Sequence, residues 1–247
     1  MKKYFYFIFI FICSCNSENA PDCFKAAGTI LEFELSVSPF SKILVNNKIQ
    51  LFIEEGAEYK VVVETGENII NEIDVIVTDG TLYLTNTIGC NFVRDYGITK
   101  VFVTAPNIEE IRNNSSLTVS SIGVLRYSNL SLLSEDFELG GSYTNGDFIL
   151  DLEVENLNIV ANGFSDFFLT GTAVKAEIAL YSGNSRVEAA DLLIHDLMVF
   201  HRSTNKIIVN PQMSIIGEIR SLGDVISKNK PPLIDVIEYY TGRLIFD

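Results

Sequence analysis

The chain has 247 residues, 32 of them acidic and 18 basic, for a formal net charge of −14 at pH 7. With 47% hydrophobic and 20% charged residues it reads as globular, long enough for one large β domain or two small ones. Acidity of this size excludes nucleic acid as a partner, because binding phosphates requires a basic face; it fits a solvated, self-repelling surface or one that attracts cations.

Met1-Lys2-Lys3 is a short basic start, and Tyr4 to Ile12 is an unbroken aromatic and aliphatic run ending at Cys13-Ser14-Cys15. A membrane span needs ~20 apolar residues, and polar Asn16, Ser17 and Glu18 end this run at about half of that. Residues 1–14 therefore read as a secretory signal peptide. Ile12-Cys13-Ser14-Cys15 resembles a bacterial lipobox, which makes Cys15 the expected lipidation site and the membrane a partner through a lipid anchor. Cys13 is the weaker candidate, since large Phe11 and Ile12 precede it. The alternative is an ordinary signal peptide with an incidental cysteine. The expected location is the bacterial outer membrane, with the periplasmic and surface-exposed faces both open.

Loss of the signal and acylation of Cys15 leave Cys23 and Cys90 in an oxidising compartment, where one disulfide between them is expected. Metal binding by two cysteines with only His195 and His201 available is the competing reading.

Residues 15–28, rich in Asn, Ser, Pro and Gly, read as a tether, and 29–247 as a single β domain. Lys42 to Val45 and Lys48 to Ile53 flank Asn46-Asn47, and Ile73 to Val77 and Thr81 to Leu84 flank Thr78-Asp79-Gly80. Both pairs predict antiparallel hairpins. Further on the signal is a repeat: Gly163, Gly183, Ser203 and Gly223 stand 20 apart. After them Phe167, Val187 and Ile207 occupy equivalent positions, as do Leu169, Ala189 and Val209; Asp147 to Leu150 fits one residue out of register. A second segment precedes each glycine, at Leu157 to Val160, Ile178 to Leu180, Leu197 to Phe200 and Gly217 to Arg220. Units this small cannot close a core alone, so they are expected to stack at ~4.8 Å as an all-β, β-helical solenoid with rungs of about 20 residues. An evenly spaced β-sandwich is the alternative. After Pro231-Pro232, the segments Ile234 to Tyr239 and Arg243 to Phe246 predict a capping hairpin around Thr241-Gly242. Leu192 to Met198 is the nearest approach to an amphipathic helix, but its place in the repeat favours strand.

Several stretches carry a family resemblance across nearly the whole mature chain. They are Asn19-Ala20-Pro21-Asp22-Cys23-Phe24, Pro39-Phe40-Ser41-Lys42-Ile43, Val63-Glu64-Thr65-Gly66-Glu67-Asn68 and Cys90-Asn91-Phe92-Val93-Arg94-Asp95-Tyr96. Thr104-Ala105-Pro106-Asn107, Ile111-Arg112-Asn113, His201-Arg202-Ser203 and Val209-Asn210-Pro211 continue the set. The chain resembles the putative auto-transporter adhesin head GIN domain proteins, exported lipoproteins of the Bacteroidetes and their relatives. The resemblance implies a β-helical or β-helix-like fold and a cell-envelope setting.

Few residues suggest chemistry. Gly163-Phe164-Ser165 and Gly183-Asn184-Ser185 lack the following glycine of a nucleophile elbow and read as turns. His195 and His201 are ~20 Å apart along an extended strand, too far to share a metal. Gly140-Gly141 with Gly146 lacks the Lys-Ser/Thr of a phosphate loop. The 20-residue phase stacks Asp166, Arg186 and Lys206, which reads either as cross-strand charge pairing or as an acid–base ladder of the kind β-helical polysaccharide lyases carry. Arg94-Asp95-Tyr96 and the Tyr143-Thr144-Asn145 turn are candidate binding loops. No catalytic, cofactor or metal residue is assigned. The sequence points to a non-catalytic cell-envelope lipoprotein presenting a β surface to a glycan or an envelope protein. A polysaccharide-active enzyme on a β-helix and a structural periplasmic lipoprotein are the alternatives.

Overall fold

The structure, a computed structural model, describes residues 21–137 and 143–247. The expected signal segment 1–14, Cys15, the first part of the expected tether and Gly140-Gly141 lie outside the described residues. What is described is almost all β, a curled open sheet with short 3-10 turns at Asp22–Phe24 and Ile70–Glu72. Ten short strands come first: β1 (Ile30–Leu35), β2 (Lys42–Asn46), β3 (Gln50–Glu55), β4 (Lys60–Gly66), β5 (Ile73–Thr78), β6 (Thr81–Asn86), β7 (Lys100–Ala105), β8 (Glu110–Asn114), β9 (Val119–Leu125) and β10 (Asn129–Ser134). Four long ones follow, β11 (Phe148–Ala161), β12 (Asp166–Leu180), β13 (Arg186–His201) and β14 (Ile207–Ile219), and then β15 (Val225–Ser227), β16 (Leu233–Glu238) and β17 (Leu244–Phe246).

Each long strand serves two ladders. In β11 the residues Phe148, Leu150, Leu152 and Val154 are buried, Glu155 and Asn156 are both exposed, and burial resumes at Leu157, Ile159 and Ala161. Because strand side chains alternate strictly, two exposed neighbours shift the phase by one and redirect the second half toward the same interior from another side. The first halves join a ladder that runs β1, β4, β7, β3, β9, β11, β12, β13, β14, β15, β17. The second halves join one that runs β5, β6, β2, β8, β10, β11, β12, β13, β14, β16. Among the described residues pairing is antiparallel only at β1–β4, β4–β7 and β5–β6, and parallel elsewhere. That largely parallel pairing departs from the alternative β-sandwich, whose sheets are antiparallel.

The core is built from in-register files. Leu51, Val119, Phe148, Phe167, Val187, Ile207 and Val225 are successive partners in the first ladder, each no more than 1% exposed. Leu82, Ile43, Ile111, Leu132, Ile159, Ile178 and Val199 form the matching file in the second. From Phe148 onward partners in the first file lie 18 to 20 residues apart, and Phe148 pairs with Phe167, the one-residue offset read from the sequence.

The connections between long strands are equally regular. Asn184 N–H donates to Gly163 O at 2.8 Å, and Thr204 N–H donates to Gly183 O at 3.1 Å. A Cβ on Gly183, whose φ is +79°, would lie 2.1 Å from Gly163 O, so the close stacking of these turns requires glycine there.

Two predicted hairpins are not formed. Asn46 and Asn47 join β2 to β3, but β2 pairs with β6 and β8 while β3 pairs with β7 and β9, so the pair separates into different ladders. The positive φ of Asn47 (49°) and Lys48 (58°) turns a corner there instead of reversing a hairpin. At the C-terminus β16 pairs with β14 and β17 with β15, all parallel, so the predicted capping hairpin around Thr241-Gly242 is a continuation of both ladders. The β5–β6 hairpin is present, with Thr78 opposite Thr81 across Asp79 and Gly80, both at positive φ.

Residues 21–28 pack against the domain. Cys23 and Cys90 form a disulfide between positions 67 apart in sequence. Arg94 donates from Nη1 to Asp22 O at 2.8 Å and to Lys25 O at 2.5 Å, and from Nη2 to Cys90 O at 2.8 Å. Lys25 is buried and pairs with Glu72 at 3.1 Å.

Candidate functional site

The sequence-predicted charged ladder is in register, since Asp166 pairs with Arg186 and Val187 with Ile207, which sets Lys206 beside Arg186. Arg186 nevertheless forms its ion pair with Glu188 on its own strand. Burial and then the neighbouring Asp147 push the Asp166 carboxyl up, with Arg186 opposing. The Asp166 N–H donates to Asp147 Oδ1 at 2.9 Å. None of the three ladder side chains lines either of the two grooves on the outer faces of the ladders.

A groove of about 450 Å³ does lie on the outer face of the first ladder. Ile149, Phe168 and Glu188 are successive outward partners on β11, β12 and β13, and Asp151 pairs with Thr170, whose hydroxyl donates to Asp151 Oδ1 at 3.2 Å. The ladder slips register at this place on each strand, between Ile149 and Asp151, Phe168 and Gly171, and Glu188 and Leu193. Bulges of this kind bend strands and re-aim side chains, here opening a trough across three adjacent strands. Gly171 allows it: its φ is +104°, and a Cβ would lie 2.0 Å from Leu152 O. The floor mixes apolar surface, with Ile149 52% and Phe168 41% exposed, and the carboxylates of Asp151, Glu188 and Asp191. Such a combination can hold the C–H face of a polyhydroxylated ring against Phe168 and accept hydrogen bonds from its hydroxyls.

A second groove, about 310 Å³, crosses the outer face of the second ladder at Asn158, Lys175, Glu177, Asp196 and Met198. Asp196 is held by Ser214 Oγ, which donates to it at 2.6 Å, and by His195 Nδ1 at 2.8 Å, and these contacts lower its carboxyl below the ordinary range. The carboxylate of this groove is therefore already paired within the chain.

The two histidines lie in opposite environments, His195 exposed and His201 fully buried in the file of Ala161, Leu180 and Ile219. Neither His201 ring nitrogen makes a hydrogen bond of normal geometry among the described residues, and burial lowers its pKa to about 4. No group of three or more His, Cys, Asp and Glu among the described residues is arranged to hold a metal. Ser165 and Ser185 are buried at the turns, Ser165 Oγ lying 2.6 Å from Ser134 Oγ. Arg94 is spent on the N-terminal carbonyls, while Tyr96 and Tyr143 remain exposed.

Sequence reasoning missed the groove residues Ile149, Phe168 and Glu188, and the buried ion pair of Arg112 with Glu135. An outward Phe168 directly after inward Phe167 was the available signal, because a strand that exposes one face to water does not ordinarily place an aromatic there.

The family described as "Putative auto-transporter adhesin, head GIN domain" matches residues 39–231. The chain belongs to this family. Its fold is shared with solved structures from Bacteroidetes. A putative adhesin of Bacteroides fragilis is 21% identical, covering 90% of this chain and 99% of that one with a TM-score of 0.79. A putative lipid binding protein of Parabacteroides distasonis is 13% identical over 89% of this chain and 97% of that one, TM-score 0.61. A putative adhesin of Parabacteroides merdae is 11% identical over the same shares, TM-score 0.61. No curated protein matches the chain. No helix among the described residues is long and apolar enough to cross a membrane.

Proposed function

We propose that this GIN-domain protein is a non-catalytic cell-envelope lipoprotein, anchored in the outer membrane through Cys15, that binds a glycan on the outer face of its sheet. The observation that carries this reading is the groove at Ile149, Phe168 and Glu188, where three adjacent strands break register together and expose an aromatic ring beside carboxylates. On this reading the protein is a β-helical solenoid, supported by the parallel file from Phe148 to Val225 and its 18-to-20-residue spacing. Its rungs form a long regular face suited to an extended polymer. Family membership supports an adhesive role.

The test is a panel of envelope and host glycans against the mature protein, with Phe168→Ala and Glu188→Gln beside it. Phe168 is partly exposed, so its truncation is expected to leave folding intact and weaken binding at least tenfold. Retention of full affinity in both variants, or no binding to any glycan in the panel, would overturn the assignment. Protease added to intact cells separates a surface-exposed binder from a structural periplasmic lipoprotein.

A further inference from the structure

The last strands carry a second surface, remote from the groove. β16 pairs with β14 on one side, and among the described residues no strand covers its other side. Tyr239 N–H donates to Ile219 O at 2.8 Å. Strand groups alternate, so the main-chain groups of Leu233, Asp235 and Ile237 also face β14, while those of Ile234, Val236 and Glu238 point outward. At β17 the outward Leu244 N–H is already taken, donating to Glu238 Oε1 at 2.8 Å. The longer open edge of this end is therefore β16.

We propose that this edge joins a second copy of the chain, β16 pairing antiparallel with β16 about a twofold axis at Val236. Three observations favour another copy as the occupant. First, residues 225–247 hold three basic and three acidic side chains, so this end is neutral in a chain of net charge −14 and two copies meet there without the repulsion their other surfaces impose. Second, four of its six charges are paired with one another, Lys228 with Asp247 and Arg243 with Glu238, and Lys230 lies over the Phe246 ring. Third, Leu233, Ile234, Ile237, Tyr239, Ile245 and Phe246 are between 37% and 56% exposed. At 150–250 Å² for an aromatic and somewhat less for an aliphatic residue, they present roughly 500 Å². With the strand edge itself, that approaches the ~800 Å² per partner of a stable interface.

A twofold at Val236 is self-complementary, as an isologous contact must be. Val236 would exchange both main-chain bonds with its copy, Ile234 would oppose the partner's Glu238, and the interior file ending at Gly217 and Val236 would continue across the junction.

The test is sedimentation equilibrium of the full mature chain in density-matched nonionic detergent. Val236→Pro removes only an outward N–H, a place where an edge strand tolerates proline. Ile234→Glu sets like charges opposite each other across the twofold. Ile76→Lys, at the 53% exposed Ile76 of β5 at the far end of the second ladder, is the control. The expected result is a dimer for the wild type and for Ile76→Lys, with at least tenfold weaker association for Val236→Pro and Ile234→Glu at unchanged circular dichroism. Should Val236→Pro unfold, Ile234→Glu decides. A wild type that stays monomeric at its highest soluble concentration, or variants that dimerise as well as it does, would overturn the proposal.

Discussion

The ring of Phe148 lies on the ring of Phe167, centroids 4.8 Å apart and planes 6° from parallel. That separation is the spacing of neighbouring strands, so the two rings stack because their backbones do. Both are fully buried, and Val187 and Ile207 extend the same file. Phe167→Ala would remove the centre of a continuous column. It is expected to cost about 3–5 kcal/mol, read as a lower denaturation midpoint, while Phe167→Leu should recover much of the loss.

Two glycines separate backbone conformation from close approach. Gly80 and Gly183 have similar positive φ, +73° and +79°, but a Cβ on Gly80 meets nothing within 4 Å whereas one on Gly183 meets Gly163 O at 2.1 Å. Gly80→Ala should cost about 1–2 kcal/mol for the left-handed conformation alone. Gly183→Ala should cost clearly more, because two turns must also move apart. Equal effects in thermal unfolding would contradict the stacking described for the turns.

His201 predicts a pH dependence. Its folded-state pKa of about 4 lies below the unfolded value of about 6.5, so the unfolded chain binds its proton first as pH falls. The stability contribution is complete above pH 6.5 and is lost progressively from there down to about 4, amounting to roughly 3 kcal/mol at 1.36 kcal/mol per unit. Carboxylates lowered by their partners, such as Glu72 and Asp196, act at lower pH and do not shape the upper part of that window. Denaturant titrations at pH 7.5 and 5 should differ for the wild type and differ less for His201→Leu.

Reducing the Cys23–Cys90 disulfide should destabilise the chain by about 2–5 kcal/mol, the cost typical of removing a native bridge. Arg94→Ala should add to that loss, because its guanidinium holds Asp22, Lys25 and Cys90 carbonyls around the same bridge. Thermal melts with and without reductant, on wild type and variant, check both.

The repeat from Gly163 to Gly223 was legible because its cause is local: each turn needs a small residue where it passes beneath the next, and each strand puts an apolar side chain at one fixed distance after it. The Cys23–Cys90 pairing was expected once Cys13 was read as part of a signal and Cys15 as a lipidation site. The partners of β2 and β3 were not legible, because Asn46-Asn47 reads identically as a reversal or as a corner and only distant β6, β7, β8 and β9 decide between them. The same holds for β16 and β17, whose partners lie about twenty residues back. The groove was hidden for another reason. It arises from register slips in neighbouring strands, and a bulge in β12 acquires meaning only beside those in β11 and β13.

Each long strand bonds only to the strands that flank it, and the contacts between β12 and β13 repeat, with local slips, those between β11 and β12. Copy number is thus separable from core design: a duplicated or deleted unit of about twenty residues would lengthen or shorten the molecule by one strand width while leaving every remaining interior file intact. The length of such a sheet is set, as on a ruler, by how many divisions have been cut.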